Sequence, residues 1–161
     1  MIVNVYQFFY AHGVSMLGRH PHPLQIDISK IKFEHTPELC TEVDPETLRK
    51  YMETKLTEGF LVLGEPEFKA IDASTEAREW FRNQPEKSPW KFGNGGYIGF
   101  PGWLFVDDSQ DSRKCNAYAG RIWTKDGWIG TTVRAEPSQT FPNWLNHFRV
   151  PLYPLGKDGK N

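Results

Sequence analysis

Two tryptophans and two arginines surround the strongest turn signal in the chain. The dipeptide Asp126-Gly127 is typical of a two-residue β-hairpin loop, because both residues accept the positive φ angles of a type I′ turn. Tryptophan rings stack on flat ligand groups, and arginine guanidinium groups bind phosphate or carboxylate through paired hydrogen bonds. These residue types on one hairpin indicate a site for an anionic ligand that carries a ring.

The turn also predicts which residues share a face of the hairpin. The predicted cross-strand pairs are Lys125 with Trp128, Thr124 with Ile129, Trp123 with Gly130, and Arg121 with Thr132. One face is then aromatic and basic, and it comprises Arg121, Trp123, Lys125, Trp128, Thr132 and Arg134. The other face comprises Ile122, Thr124, Ile129, Thr131 and Val133 and is typical of a core. We predict a binding surface at Arg121, Trp123, Lys125, Trp128 and Arg134, with Gly130 leaving a flat slot beside Trp123.

A structural interpretation of the same residues competes with this one. Tryptophan is often buried, and a helix covering the face would leave the arginines to reach solvent at its rim. The sequence of one hairpin does not decide between an open face and a covered one.

No metal site or cofactor is predicted. The histidines at 20, 22 and 35, with Cys40, match no ligand spacing, so they are expected to be exposed loop residues. The run that contains Asp107, Asp108 and Asp111 lacks the glycine and the final glutamate of a calcium loop.

Motifs for phosphate-loop binding and nucleophilic catalysis are also missing. The glycine-rich segment 93–96 is followed by a strand pattern instead of a Gly-Lys-Ser/Thr sequence and a helix. Ser15 lies near His12, and Cys115 has no evident base partner, but neither forms a recognisable catalytic pattern.

One enzymatic alternative comes from a resemblance. His12-Gly13 at the end of the first predicted strand, then Tyr118 and then Glu136, resembles the sparse order of functional residues in ADP-ribosyltransferases. The resemblance covers only these positions. It implies that NAD is the substrate, that His12 holds a ribose hydroxyl, that Tyr118 stacks on nicotinamide and that Glu136 aligns the ribose.

The hydrophobic pattern predicts an α+β domain with a mostly antiparallel sheet. About six or seven strands are expected, and the predicted strand segments are 2–10, 25–33 with a bulge near Ser29, 60–63, 67–71, 96–106 and the two arms of the hairpin. The first of these is expected to be a central strand because it is rich in β-branched and aromatic residues.

Two or three helices complete the expected fold. The clearest runs over residues 45–58, with Asp44 as its cap, Gly59 as its end, and Leu48, Met52 and Leu56 on its buried face. A second begins near residues 72–75 and presents Ala73, Ala77, Trp80 and Phe81 on one face. A short third helix is predicted after Thr140, with Trp144, Leu145 and Phe148 on its apolar side.

Composition limits the classes of function. The chain of 161 residues has ordinary contents of hydrophobic (39%) and charged (24%) residues, which predicts one domain over 1–154 and a polar tail over 155–161. A net charge of −1 argues against an extended nucleic-acid surface. Two cysteines form no disulfide framework, and the chain has no apolar run long enough for a membrane span, so a cytoplasmic protein is expected.

Three functions remain open from the sequence. The favoured one is a non-enzymatic binding or inhibitor-type protein, including immunity-type proteins, that captures a nucleotide-like or phosphorylated ligand or a partner protein. The second is the NAD-using transferase described above. The third is a structural domain that oligomerises through the second face of its sheet.

Overall fold

The computed structural model of the protein describes residues 1–9, 14–15, 17, 22–36, 45–82, 97–107, 115–124, 127–134 and 148–156. The helices in these ranges are α1 (Pro45–Thr57), α2 (Glu65–Ala73) and α3 (Thr75–Arg82). The strands are β1 (Ile2–Asn4), β2 (Val14–Ser15), β3 (Gln25–Asp27), β4 (Lys32–His35), β5 (Phe60–Val62), β6 (Tyr97–Asp107), β7 (Cys115–Thr124), β8 (Gly127–Arg134) and β9 (Phe148–Pro154). The predicted α+β class is confirmed, although these ranges already contain more strands than the expected six or seven.

Strand β9 is the organising strand of a seven-stranded sheet. Its residue Leu152 pairs with Lys32 of β4 and also with Val62 of β5, so β4 and β5 lie on opposite edges of β9. The start of β9 runs parallel to β6, which continues through antiparallel pairs to β7 and β8. Strand β2 pairs with β6, and β1 pairs with β3 in a separate ribbon. Every described pair except β6 with β9 is antiparallel.

The sheet is buried on both faces where β5 meets β9. Leu61 opposes Tyr153, and both belong to the main core. Val62 opposes Leu152 on the other face, where both are buried outside the main core. Helix α1, which packs against β5, also has its buried side chains outside the main core. The main core consists of Val3, Val5, Ile26, Ile28, Ile31, Leu61, Leu63, Ala70, Ile71, Ala77, Ile98, Phe100 and Tyr153.

The predicted first helix is confirmed. Helix α1 buries Leu48 and Met52 as expected, whereas Leu56 is only half-buried. Gly59 follows with a φ of 86°, the left-handed conformation that the sequence predicts for it. The proposed cap, Asp44, lies outside the described residues. No helix in the described ranges is long and apolar enough to cross a membrane.

The strand predicted over residues 67–71 is wrong, because these residues belong to α2. The carboxylate of Glu67 accepts a hydrogen bond from the backbone N–H of Gly64 at 2.8 Å, which satisfies a donor at the start of the helix. Pro66 also suits the first turn, where a missing N–H costs nothing. These local signals favour a helix over the apolar pattern of a short strand.

The predicted second helix is α3. Its Ala77 is buried, and Trp80 packs against the main core as expected. Ala73 is exposed instead, because it ends α2 and does not share the apolar face of α3. The side chain of Phe81 lies outside the described part of the chain.

The long central strand predicted over residues 2–10 is also wrong. Within the described residues 2–9 only β1 is a strand, and its partner β3 is the other half of a two-stranded ribbon. The chain then turns through a 3-10 helix at Tyr6–Phe8, while the N–H groups of Val5 and Tyr6 both donate to the carbonyl of Leu24. Phe8 and Phe9 pack against the main core, which explains the aromatic run.

A 3-10 helix, not a bulge, interrupts the strand predicted over residues 25–33. Asp27 ends β3, and its carboxylate accepts hydrogen bonds from the N–H and the hydroxyl of Ser29 at 3.1 and 2.7 Å. The 3-10 helix Ile28–Lys30 follows, and β4 then joins a different sheet. The break in alternation therefore marks a change of sheet.

Strand β9 is absent from the sequence prediction, which places Phe148 on a final helix. Phe148 is instead the first residue of β9, and the other residues assigned to that helix lie outside the described ranges. The two prolines of the strand, Pro151 and Pro154, argue locally against a central position. The chain remains packed after β9, because Leu155 contacts the main core.

Two glycines give a matched test of the packing. A Cβ atom on Gly102 would lie 2.2 Å from the carbonyl oxygen of Val62, whereas a Cβ atom on Gly59 would meet nothing within 4 Å. Gly102→Ala should therefore cost about 3 kcal/mol or more through overpacking. Gly59→Ala should cost about 1–2 kcal/mol through its positive φ alone, and Gly59→Asn less. Urea unfolding measures all three variants, and equal costs at the two positions would contradict the close approach.

The Asp27 turn predicts a specific response to acid. The hydroxyl of Ser29, with further help from the Met1 amine, holds the pKa of Asp27 at about 2, below the ordinary 3.8. A lowered folded-state pKa stabilises the fold fully above about pH 3.8, and this stabilisation is lost as the pH falls through about 2. Ser29→Ala should raise the pKa of Asp27 toward its ordinary value in an NMR titration. An unchanged pKa would show that Ser29 does not stabilise the carboxylate.

Candidate functional site

The strand register aligns residues from five strands in one row across the sheet. His35 of β4 opposes Arg149 of β9, and Arg149 opposes Ile98 of β6. Ile98 in turn opposes Arg121 of β7, which opposes Gly130 of β8. Residues paired in this way lie on the same face of a sheet. We call His35, Arg149 and Arg121 the basic row.

The basic row lies on the face of the sheet that carries the main core. Two residues further into the sheet, Phe33 opposes Pro151 and Phe100 opposes Ala119. Phe100 is only 4% exposed, and Phe33 packs against the main core. The row therefore lies beside the main core, two residues from Phe33 and Phe100 along their strands.

The environment changes along the described part of this row. Ile98 is buried in the main core, Arg149 is half-buried, and His35 is exposed. Partial burial lowers the pKa of Arg149 from its ordinary value, because loss of water disfavours the charged guanidinium.

The predicted register of the hairpin is wrong by two residues. Thr124 pairs with Gly127, whereas the predicted turn at Asp126-Gly127 pairs Lys125 with Trp128. Trp123 consequently opposes Trp128, and Gly130 opposes Arg121 instead of Trp123. The predicted slot beside Trp123 is therefore replaced by a directly opposed pair of tryptophan positions.

A shift of two residues leaves each predicted face intact, because strand faces alternate with a period of two. Arg121, Trp123, Trp128 and Arg134 still share one face in the observed register. That face is the one that carries the basic row and the main core. Lys125, the remaining member of the predicted surface, lies outside the described residues.

No protein-family model, curated protein or solved structure matches this chain.

The residues of the transferase resemblance are only partly described. Tyr118 lies on β7 opposite Val133, on the face of the sheet away from the basic row. His12 and Glu136 lie outside the described residues, so their convergence on one cleft stays a prediction.

Within the described ranges, no group of three or more histidine, cysteine, aspartate or glutamate residues is placed to hold a metal ion. Asp107 ends β6 opposite Cys115 of β7. His20, Cys40, Asp108 and Asp111 lie outside these ranges.

The expectation that His22 is solvent-exposed is wrong. The His22 and Glu67 side chains are 8% and 0% exposed, and Nδ1 of His22 lies 2.8 Å from a carboxylate oxygen of Glu67. The imidazole also packs edge-on against Trp103, with 5.2 Å between ring centroids. We call this pair the His22–Glu67 junction.

A small cavity of about 10 Å³ lies beside the junction and is lined by Ser15, His22 and Gly102, among others. A cavity of that size has room for about one water molecule. The junction is therefore a structural link between the loop at His22 and the start of α2. Sequence reasoning missed it, although Gly64-Glu65-Pro66-Glu67 carries the pattern of a helix start.

Truncating Glu67 should show how much the junction stabilises the fold. Glu67→Ala removes the acceptor for Gly64 N–H and the partner of His22 in a buried setting, so we expect a loss of about 3 kcal/mol or more. Glu76→Ala is the matched control, because Glu76 is an exposed residue in the first turn of α3 and should cost less than about 1 kcal/mol. Chemical denaturation measures the free energy of unfolding of both variants. Similar losses would show that the junction stabilises the fold no more than an exposed glutamate does.

Proposed function

We propose that the protein is a non-enzymatic binding protein that captures an anionic ligand with a planar ring, such as a nucleotide-like or phosphorylated molecule. The observation that carries the proposal is the register of β9, β6 and β7. It puts Arg149 and Arg121 on either side of Ile98, with Trp123 and Trp128 on the same face two residues further along.

The spacing suits a ligand with a charged end and a ring. Arg121 and Arg149 are two strands apart, which corresponds to about 10 Å between their backbones. Trp123 follows Arg121 by two residues, or about 7 Å along the strand. That separation is comparable with the span between the phosphate and the base of a nucleoside monophosphate.

Each part of the ligand would have a distinct physical role. Guanidinium groups bind phosphate through charge-assisted, paired hydrogen bonds. A base stacking on tryptophan contributes about 1–3 kcal/mol and needs no particular base. Ile98, which is buried in the main core between the two arginine positions, places apolar surroundings beside the charged contact and so strengthens it. The proposed ligand therefore needs both features for tight binding.

Three related probes separate the charge from the ring. Adenosine carries the ring alone, ribose 5-phosphate carries the anion alone, and AMP carries both. We expect AMP to bind at least about tenfold more tightly than either fragment in isothermal titration calorimetry. Trp123→Ala should weaken AMP by about 1–3 kcal/mol. Arg121→Met should weaken AMP but not adenosine, and high salt should reduce the difference because it screens the charge contact.

Lys50→Met is the control variant, because Lys50 is a highly exposed lysine on α1. It should leave all three affinities unchanged. Equal affinities for AMP and adenosine would contradict the proposed role of the basic row. Unfolding of Trp123→Ala without any measurable ligand binding would show instead that the tryptophans belong to the core.

A further inference from the structure

The exposed large apolar side chains of the described residues gather at one place. Ile2 and Leu24 are 64% and 60% exposed, and Tyr6 and Met1 are exposed as well. Ile2, Leu24 and Tyr6 line one groove with a volume of about 600 Å³. Single exposed apolar residues are ordinary, but a cluster around a groove marks a binding surface. The volume falls in the range of small-molecule sites.

The ribbon of β1 and β3 forms this groove for a simple reason. Val3 and Ile26 oppose each other and point into the main core, so their neighbours Ile2 and Asp27 lie on the outer face. Ile26 and Tyr153, both buried, contribute to the lining of the groove. The hydroxyl of Tyr153 accepts a hydrogen bond from the N–H of Asp27 at 3.2 Å, which joins the ribbon to β9. The apolar side chains are therefore displayed on a fixed support.

The two charged residues that line the groove, Asp27 and Lys30, differ in whether they already have partners. The carboxylate of Asp27 already accepts hydrogen bonds from Ser29 and from the amine of Met1. Lys30 is exposed and makes no ion pair with any residue in the described ranges. Among the residues that the structure describes, the groove thus combines an apolar lining with one available positive charge, that of Lys30.

We propose that this groove binds an amphiphilic carboxylate, with the apolar body of the ligand against Ile2, Leu24 and Tyr6 and its acid group at Lys30. A positively charged ligand would be repelled by the ammonium of Lys30. A purely apolar ligand would leave that ammonium unused. This site is separate from the basic row and does not depend on the proposed function.

Three ligands with the same alkyl chain test the proposal on the full chain. Decanoate, decanol and decyltrimethylammonium share the apolar part and differ in the charge of the head group, and all are used below the concentration at which they form micelles. We expect decanoate to bind about two- to fivefold more tightly than decanol, as one exposed ion pair allows, and decyltrimethylammonium to bind most weakly. NMR shift changes should centre on Ile2, Leu24 and Tyr153.

Two variants divide the binding into its parts. Lys30→Met should remove the preference for decanoate and leave decanol unchanged, while Leu24→Ser should weaken all three ligands. Both residues are exposed, so circular dichroism should show an unchanged fold. Lys50→Met on α1 is the control and should alter none of the affinities. The proposal is overturned if none of the three ligands binds, if decanoate shows no preference that depends on Lys30, or if the shift changes lie away from the groove.

Discussion

The hydrogen bonds of β9 are the constraint on which the rest of the sheet depends. A buried backbone needs partners for its N–H and C=O groups, and β9 pairs with β4 on one edge and with β6 and then β5 on the other. The N–H of Leu63 adds a bond to the carbonyl of Pro151, and the N–H of Gly102 donates to the carbonyl of Leu63. The close packing at Gly102 and the alignment of the basic row both follow from strands being positioned against this one segment.

The basic row lies directly beside the main core, because Ile98 in the middle of the row belongs to that core. On the same face of the sheet, the apolar residues Phe33 and Phe100 give way within two positions to Arg149 and Arg121. Partial burial of the Arg149 guanidinium lowers its pKa, because loss of water disfavours the charged form. The backbone at Arg149 is rigidly supported, because β9 and β6 also carry residues of the main core.

The parts of the fold that the sequence predicts correctly are those with local causes. The spacing in α1, the positive φ at Gly59 and the two arms of the hairpin each depend on neighbouring residues. The missed parts depend on distant ones. Strand β9 contains two prolines that argue against a central strand, and only its partners make that position possible. Arg149 and His35 join Arg121 through pairings between remote segments, which no local pattern contains.

The place of β9 in the chain has a consequence for how the protein folds. Strands β4, β5 and β6 all come before β9 in the sequence, so their unpaired edges exist before the strand that joins them is available. Pairings between remote segments close slowly, because the entropy of the intervening chain is lost before the contacts form. During synthesis the earlier strands would therefore expose unpaired edges until β9 is made, and unpaired edges are sites of aggregation. Because β9 is the last of these strands in the sequence, the edges of β4 and β5 that pair with it are completed only when β9 itself is synthesised.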